Sequence, residues 1–253
     1  MDNSDEIERV ANEMRTIVRT SADRNSATGY FAAMYLGVTN EVQRGLANDA
    51  FATPQRLIQL TSAFAQRYID AWQTRESGGQ PSHSWDVTFR ACSDWRPTVL
   101  QHLLLGMNAH INLDLGVAAA QVAPGAAINQ LRPDFDQINH VLAKLIDKIQ
   151  GELNRISPLY RFVGDVSGSM DTTVIKFSIS RARAEAWKLA TFLASAGAQP
   201  AAKRIADQDR QVGTFAAMIV RPGVIPSTGL LGVRITERRK PRTIINLLSG
   251  IAA

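Results

Sequence analysis

Residues 98–122 read "TVLQHLLLGMNAHINLDLGVAAAQV". Wound as a helix at about 100° per residue, the Leu, Ile, Met, Val and Ala side chains of this stretch surround the axis on every side. A helix that is apolar all round belongs in the middle of a protein. A buried central helix over 97–121 therefore sets the expectation for the rest of the chain: an all-α fold, a single compact domain over 1–253, and about eight helices packed around this one.

The flanking sequence agrees with that expectation. Apolar spacing of three and four residues dominates. Residues 5–20 form a first amphipathic segment, and Tyr30, Met34, Val38 and Val42 mark a second. Thr53-Pro54 is a capping residue followed by proline at the first helical position, opening a helix that buries Leu57, Leu60, Phe64 and Tyr68. "ESGGQPSHS" breaks the chain as a surface loop. Pro133 is expected to start the helix whose stripe begins at Ile138 and Leu142. Three further helices are expected over 174–193, 208–220 and 241–250. No repeat or low-complexity tract suggests a domain break.

Composition narrows the function classes. At 45% hydrophobic and 20% charged residues, the chain looks like an ordinary soluble globular protein. The single cysteine, Cys92, excludes an internal disulfide and fits a reducing cytoplasm. No uninterrupted apolar run reaches the ~18 residues of a bilayer span, and the charged start has no signal-peptide core. A net charge of +5 is modest, and its densest part, Arg238, Arg239, Lys240 and Arg242, lacks interleaved aromatics. Nucleic acid is therefore not the expected partner, and the basic run reads first as a solvated face. Oligomeric state is open.

One motif demands a decision. "DVSGSM" at 165–170 matches the Asp-x-Ser-Gly-Ser metal site of von Willebrand A domains. That site needs a buried parallel sheet, and only "LYRFVG" precedes it here, a poor central strand. The expected reading is a turn at Ser167–Ser169 and a helix cap at Asp171 or Thr172.

The stronger chemical signal lies within the central helix, which carries His102, Asn108, His110, Asn112 and Asp114. A buried carboxylate must be paired, hydrogen-bonded, neutralised or bound to metal. His110 and Asp114 are four apart and project from one face, whereas Asn108 and Asn112 project from nearly the opposite one. Three readings compete for His110 and Asp114. They form a structural cluster, with Asp114 held by His110 or by an arginine such as Arg132 or Arg181. Or they are metal ligands completed by a neighbouring carboxylate. Or Asp114 orients His110 as a metal-free base. Asp134, inward at the start of its helix, is the candidate third ligand or base, its alternative being a first-turn acid that complements the helix dipole. His140 falls on the solvent side, His83 in a loop, and Asp70 most simply at the surface. Arg181 and Glu185, four apart, read as an exposed pair.

Around "LLLGMNAHINLDLG" (103–116) the sequence resembles a bacterial family catalogued as domain of unknown function 5995. The resemblance extends through "GYFAAMYLGVTNEV", "FAQRYIDAW", "RPDFDQIN" and "KFSISRARAEAWKLA", and so covers most of the chain. It implies an all-helical single domain and puts weight on Asn108, His110, Asn112 and Asp114, with less on Arg132, Asp134 and Asn139. No reaction comes with it.

The functional expectation is a metal-assisted hydrolase or oxidase acting on a small, rather apolar substrate. His110, Asp114 and Asp134 would hold zinc or iron and act on the substrate, with Asn108 and Asn112 as its anchors. The alternative is a metal-free binding protein or acid–base catalyst for an apolar small molecule. A helical interaction module is the third class.

Overall fold

The computed structural model describes residues 3–48, 53–156, 179–222, 224–237 and 240–250, and among these it contains ten helices and no strand. They are α1 (Asn3–Asp23), α2 (Thr28–Ala47), α3 (Pro54–Glu76), α4 (His83–Ala91), α5 (Val99–Val122), α6 (Ile128–Ile156), α7 (Ile179–Ser195), α8 (Ala198–Val220), α9 (Val224–Thr236) and α10 (Pro241–Ser249). "DVSGSM" lies outside the described residues.

Helix α5 is the hub. It packs against α2, α3, α4, α7 and α8. By length and composition it would cross a bilayer, yet 83% of its most apolar stretch is buried inside the protein. Its start is locally encoded: the Thr98 hydroxyl accepts from the Gln101 N–H while the Gln101 side chain accepts from the Thr98 N–H, a complete capping box. The Glu237 carboxylate, from beyond the end of α9, accepts from the next free amide, Val99 N–H, at 3.1 Å.

Two glycines let neighbours approach the α5 backbone. A Cβ on Gly106 would stand 2.4 Å from the Phe31 ring of α2, and one on Gly116 would stand 2.8 Å from the Ala186 carbonyl oxygen of α7. Those contacts lie far inside normal packing distance, so both positions require the missing side chain.

Two helices exceed the eight expected. His83–Ala91 was expected in part as loop, but the Asp209 carboxylate of α8 accepts from the His83 and Ser84 amides at 2.7 and 2.9 Å and caps the helix from outside. Val224–Thr236 carries Pro226 and Gly229, which look like breakers. Pro226 falls in the first turn, where its missing N–H has no intrahelical partner to lose.

Pro133 does not start its helix. It lies inside α6, which begins at Ile128 after a short 3₁₀ turn at Gly125–Ala127. There it forfeits one backbone bond and keeps a helical φ. Pro54 does open α3, but the Thr53 hydroxyl accepts from Arg56 Nη2 at 3.2 Å instead of capping the helix.

Candidate functional site

Helix α5 is not uniform. At His110–Asp114 it widens into one π turn, in which the Leu115 N–H donates to the His110 carbonyl five residues back. Such turns insert a residue into an α-helix and concentrate at functional sites. This one carries the two polar residues singled out from the sequence.

Asp114, 1% exposed, is the centre of a three-donor network. Its Oδ1 accepts from Arg67 Nε at 3.0 Å, and its Oδ2 accepts from Trp85 Nε1 at 2.8 Å and from His110 Nδ1 at 3.1 Å. Arg67 comes from α3 and Trp85 from α4, so three helices converge on one carboxylate. The arginine that balances Asp114 is thus Arg67, and neither Arg132 nor Arg181. Arg132 pairs with Asp136 at 2.6 Å, and Arg181 is exposed. Glu185 pairs with Lys188 at 2.8 Å.

His110 is equally enclosed, 2% exposed. Its ring lies flat on Phe64 and meets Tyr35 edge-on, with centroids 3.6 and 4.5 Å away. Phe31 adds a further edge-on contact at 5.6 Å. Burial pushes the His110 pKa down, against the opposing pull of the Asp114 hydrogen bond. The ring is therefore neutral near pH 7. A carboxylate offers no proton, so Nδ1 carries the imidazole hydrogen and Nε2 the lone pair. That Nε2 is buried and has no hydrogen-bond partner.

His110 lines a cavity bounded by Phe31, Met34, Tyr35, Val38, Val42, Thr61, Phe64, Met107, Ile111, Ile138, Ile179 and Arg183. About 50 Å³ is open to the centre of a water-sized molecule, several times the ~10–15 Å³ that one water requires. The walls are largely hydrocarbon and aromatic. Among the described lining residues, three polar atoms are buried without a hydrogen-bond partner: His110 Nε2, Thr61 Oγ1 and Arg183 Nε.

The other predicted residues lie elsewhere. Asp134 is buried, with Arg56 Nε 3.3 Å from its Oδ2, and it does not line the cavity. Among the described residues no three His, Cys, Asp or Glu side chains gather as metal ligands would, so Asp134 does not join His110 and Asp114. Asn108 donates to the Val212 carbonyl at 2.9 Å and accepts from Asn112 Nδ2 at 2.9 Å, while the Asn112 carbonyl accepts from Gln208. These asparagines fasten α5 to α8 and do not line the cavity. His102 is buried apart from His110, against Tyr30 and 3.8 Å from the Cys92 sulfur. Burial lowers the His102 pKa to about 4 and raises the Cys92 thiol to about 12. His83 packs on Gly213, and Asp70 accepts from Gln66 at the surface. The side chain of His140 lies outside the described residues.

Arg67, Trp85, Thr61 and Arg183 did not emerge from the sequence. Arg67 had one available signal: it lies three residues after Phe64 and one before Tyr68 on a helix whose core face was readable. Trp85 and Arg183 had none, because only the packing of α4 and α7 against α5 and α6 brings them in.

A family model described as a family of unknown function (DUF5995) matches residues 7–222. The chain belongs to that family. No curated protein matches the chain, and neither does any solved structure.

Proposed function

We propose that this protein binds a small, largely apolar molecule in the cavity beside the π turn, without a metal, and that His110 accepts a hydrogen bond or a proton from it. The observation that carries this reading is the state of His110. Its Nδ1 is held by Asp114, its ring is clamped on Phe64, and its Nε2 lone pair is buried and unpartnered in a residue that lines an apolar cavity. A buried acceptor left unsatisfied costs about 1–3 kcal/mol, and a ligand N–H or O–H removes that penalty. Arg67, Trp85 and Asp114 form the support that fixes the tautomer and orientation.

The metal-assisted hydrolase or oxidase expected from the sequence has less support. Both Asp114 oxygens are already taken by donors, and Asp134 is turned to Arg56.

Indole and benzofuran test the reading, since they share a shape and only indole has an N–H. Calorimetry should give tighter binding of indole to the wild type, by roughly 5–10-fold for one hydrogen bond. The preference should vanish in His110→Leu. Equal affinity in the wild type, or no binding of either, would overturn the reading. Stoichiometric zinc or iron in the purified protein, lost from His110→Ala, would restore the metal alternative.

A further inference from the structure

We propose that the natural ligand is an organic monocarboxylate with an apolar body, its headgroup held by Arg183 and Thr61; this rests on the cavity being a ligand site as argued above. Arg183 is 3% exposed. Its Nη2 donates to the Phe135 carbonyl and its guanidinium lies over the Phe135 ring, 4.3 Å from the centroid. No ion pair joins it to any carboxylate among the described residues, and its Nε has no partner. The neighbouring acid, Asp136, is engaged by Arg132 at 2.6 Å.

A buried charge without a counter-charge is strongly unfavourable. Burial lowers the Arg183 pKa to about 10, which still leaves the group cationic at neutral pH. Arg183 therefore places a cation in the cavity wall that Asp136 attracts only through space and that an anion entering the cavity would pair with directly. Thr61 supplies a second donor, a buried hydroxyl with no partner. A guanidinium N–H and a hydroxyl match the two oxygens of a carboxylate.

The remaining lining selects the rest of the molecule. Met34, Val38, Val42 and Ile138 offer nothing to a hydrated inorganic anion and suit a hydrocarbon body. His110 Nε2 presents a lone pair, which repels the carboxylate and suits a hydroxyl or N–H elsewhere on the ligand.

The test uses the full chain with octanoate and octan-1-ol as probes, followed by calorimetry. Wild type should bind octanoate roughly 10–100-fold tighter than octan-1-ol, the range for charge-assisted hydrogen bonds. Arg183→Met should erase that preference while still binding the alcohol. Arg183 also anchors Phe135, so melting curves accompany the variant, and Thr61→Val provides an independent arm. The Thr61 hydroxyl bonds to nothing among the described residues, and its loss should weaken octanoate several-fold and leave octan-1-ol unchanged. Equal binding of the two probes to the wild type overturns the carboxylate inference and leaves the cavity reading intact. So does octanoate affinity unaltered in both variants. Binding of neither probe overturns both.

Discussion

The imidazole of His110 lies on the phenyl ring of Phe64 with centroids 3.6 Å apart and planes 8° from parallel. Phe64 sits on α3 one turn before Arg67, so the helix that clamps the ring also supplies the cation that balances its partner, Asp114. One face of α3 thus sets both the position and the charge of the dyad.

Removing Asp114 and removing Arg67 should both be damaging, for different reasons. Asp114→Ala strands the buried Trp85 N–H and His110 Nδ1–H, each worth about 1–3 kcal/mol when unsatisfied. In that variant Arg67, 30% exposed, can rehydrate, whereas Arg67→Met leaves the buried Asp114 carboxylate without its counter-charge. Urea denaturation should show a loss of roughly 2–5 kcal/mol for each of Asp114→Ala and Arg67→Met. A loss below about 1 kcal/mol in either variant, the scale of a solvent-exposed pair, contradicts this assignment.

Stability should fall as pH drops from about 6.5 towards 4. His102 has a folded pKa lowered to about 4 by burial, and His110 is shifted in the same direction. Below pH ~6.5 the unfolded chain takes up protons that the folded histidines refuse, so the unfolded state gains. The loss is complete once pH passes below the folded value, and for His102 it amounts to about 3 kcal/mol. The urea midpoint of His102→Gln should depend less steeply on pH across this window than that of the wild type.

Asn108 should matter to stability and not to ligand. Asn108→Ala leaves the Val212 carbonyl and the Asn112 amide without their partner, a loss of about 1–3 kcal/mol. Octanoate affinity, measured on the folded variant, should stay within about twofold of wild type. A large affinity loss with unchanged melting would return Asn108 to the role of substrate anchor.

Gly106→Ala gains up to ~1 kcal/mol of helix propensity, but its Cβ would stand 2.4 Å from the Phe31 ring. Overpacking of this kind costs about 1–3 kcal/mol. The variant should be less stable in spite of its propensity gain, and displacement of Phe31 should alter probe binding, because that ring lines the cavity. A melting temperature at or above wild type would show that α2 moves aside freely.

By itself, the sequence determined the helical class, the central place of α5 and the shared face of His110 and Asp114. Each rests on information carried within one segment: apolar spacing of three and four residues, an apolar surround, and a four-residue interval between two polar groups. The tertiary structure alone decided what those residues meet. The α4 helix is capped by Asp209, 126 positions away, and so read locally as loop. Asp114 is balanced by Arg67, 47 positions away, and the cavity acquires its cation from Arg183 on a helix that periodicity could place but not orient. Asn108 and Asp134 were legible as inward-facing polar groups, yet their partners, the Val212 carbonyl and Arg56, lie on other helices. Periodicity reports which face of a helix is buried, because burial depends on the residue's own side chain. It carries no record of the neighbouring helix, and a polar group becomes an anchor, a base or a fastening only through the group that the neighbour supplies.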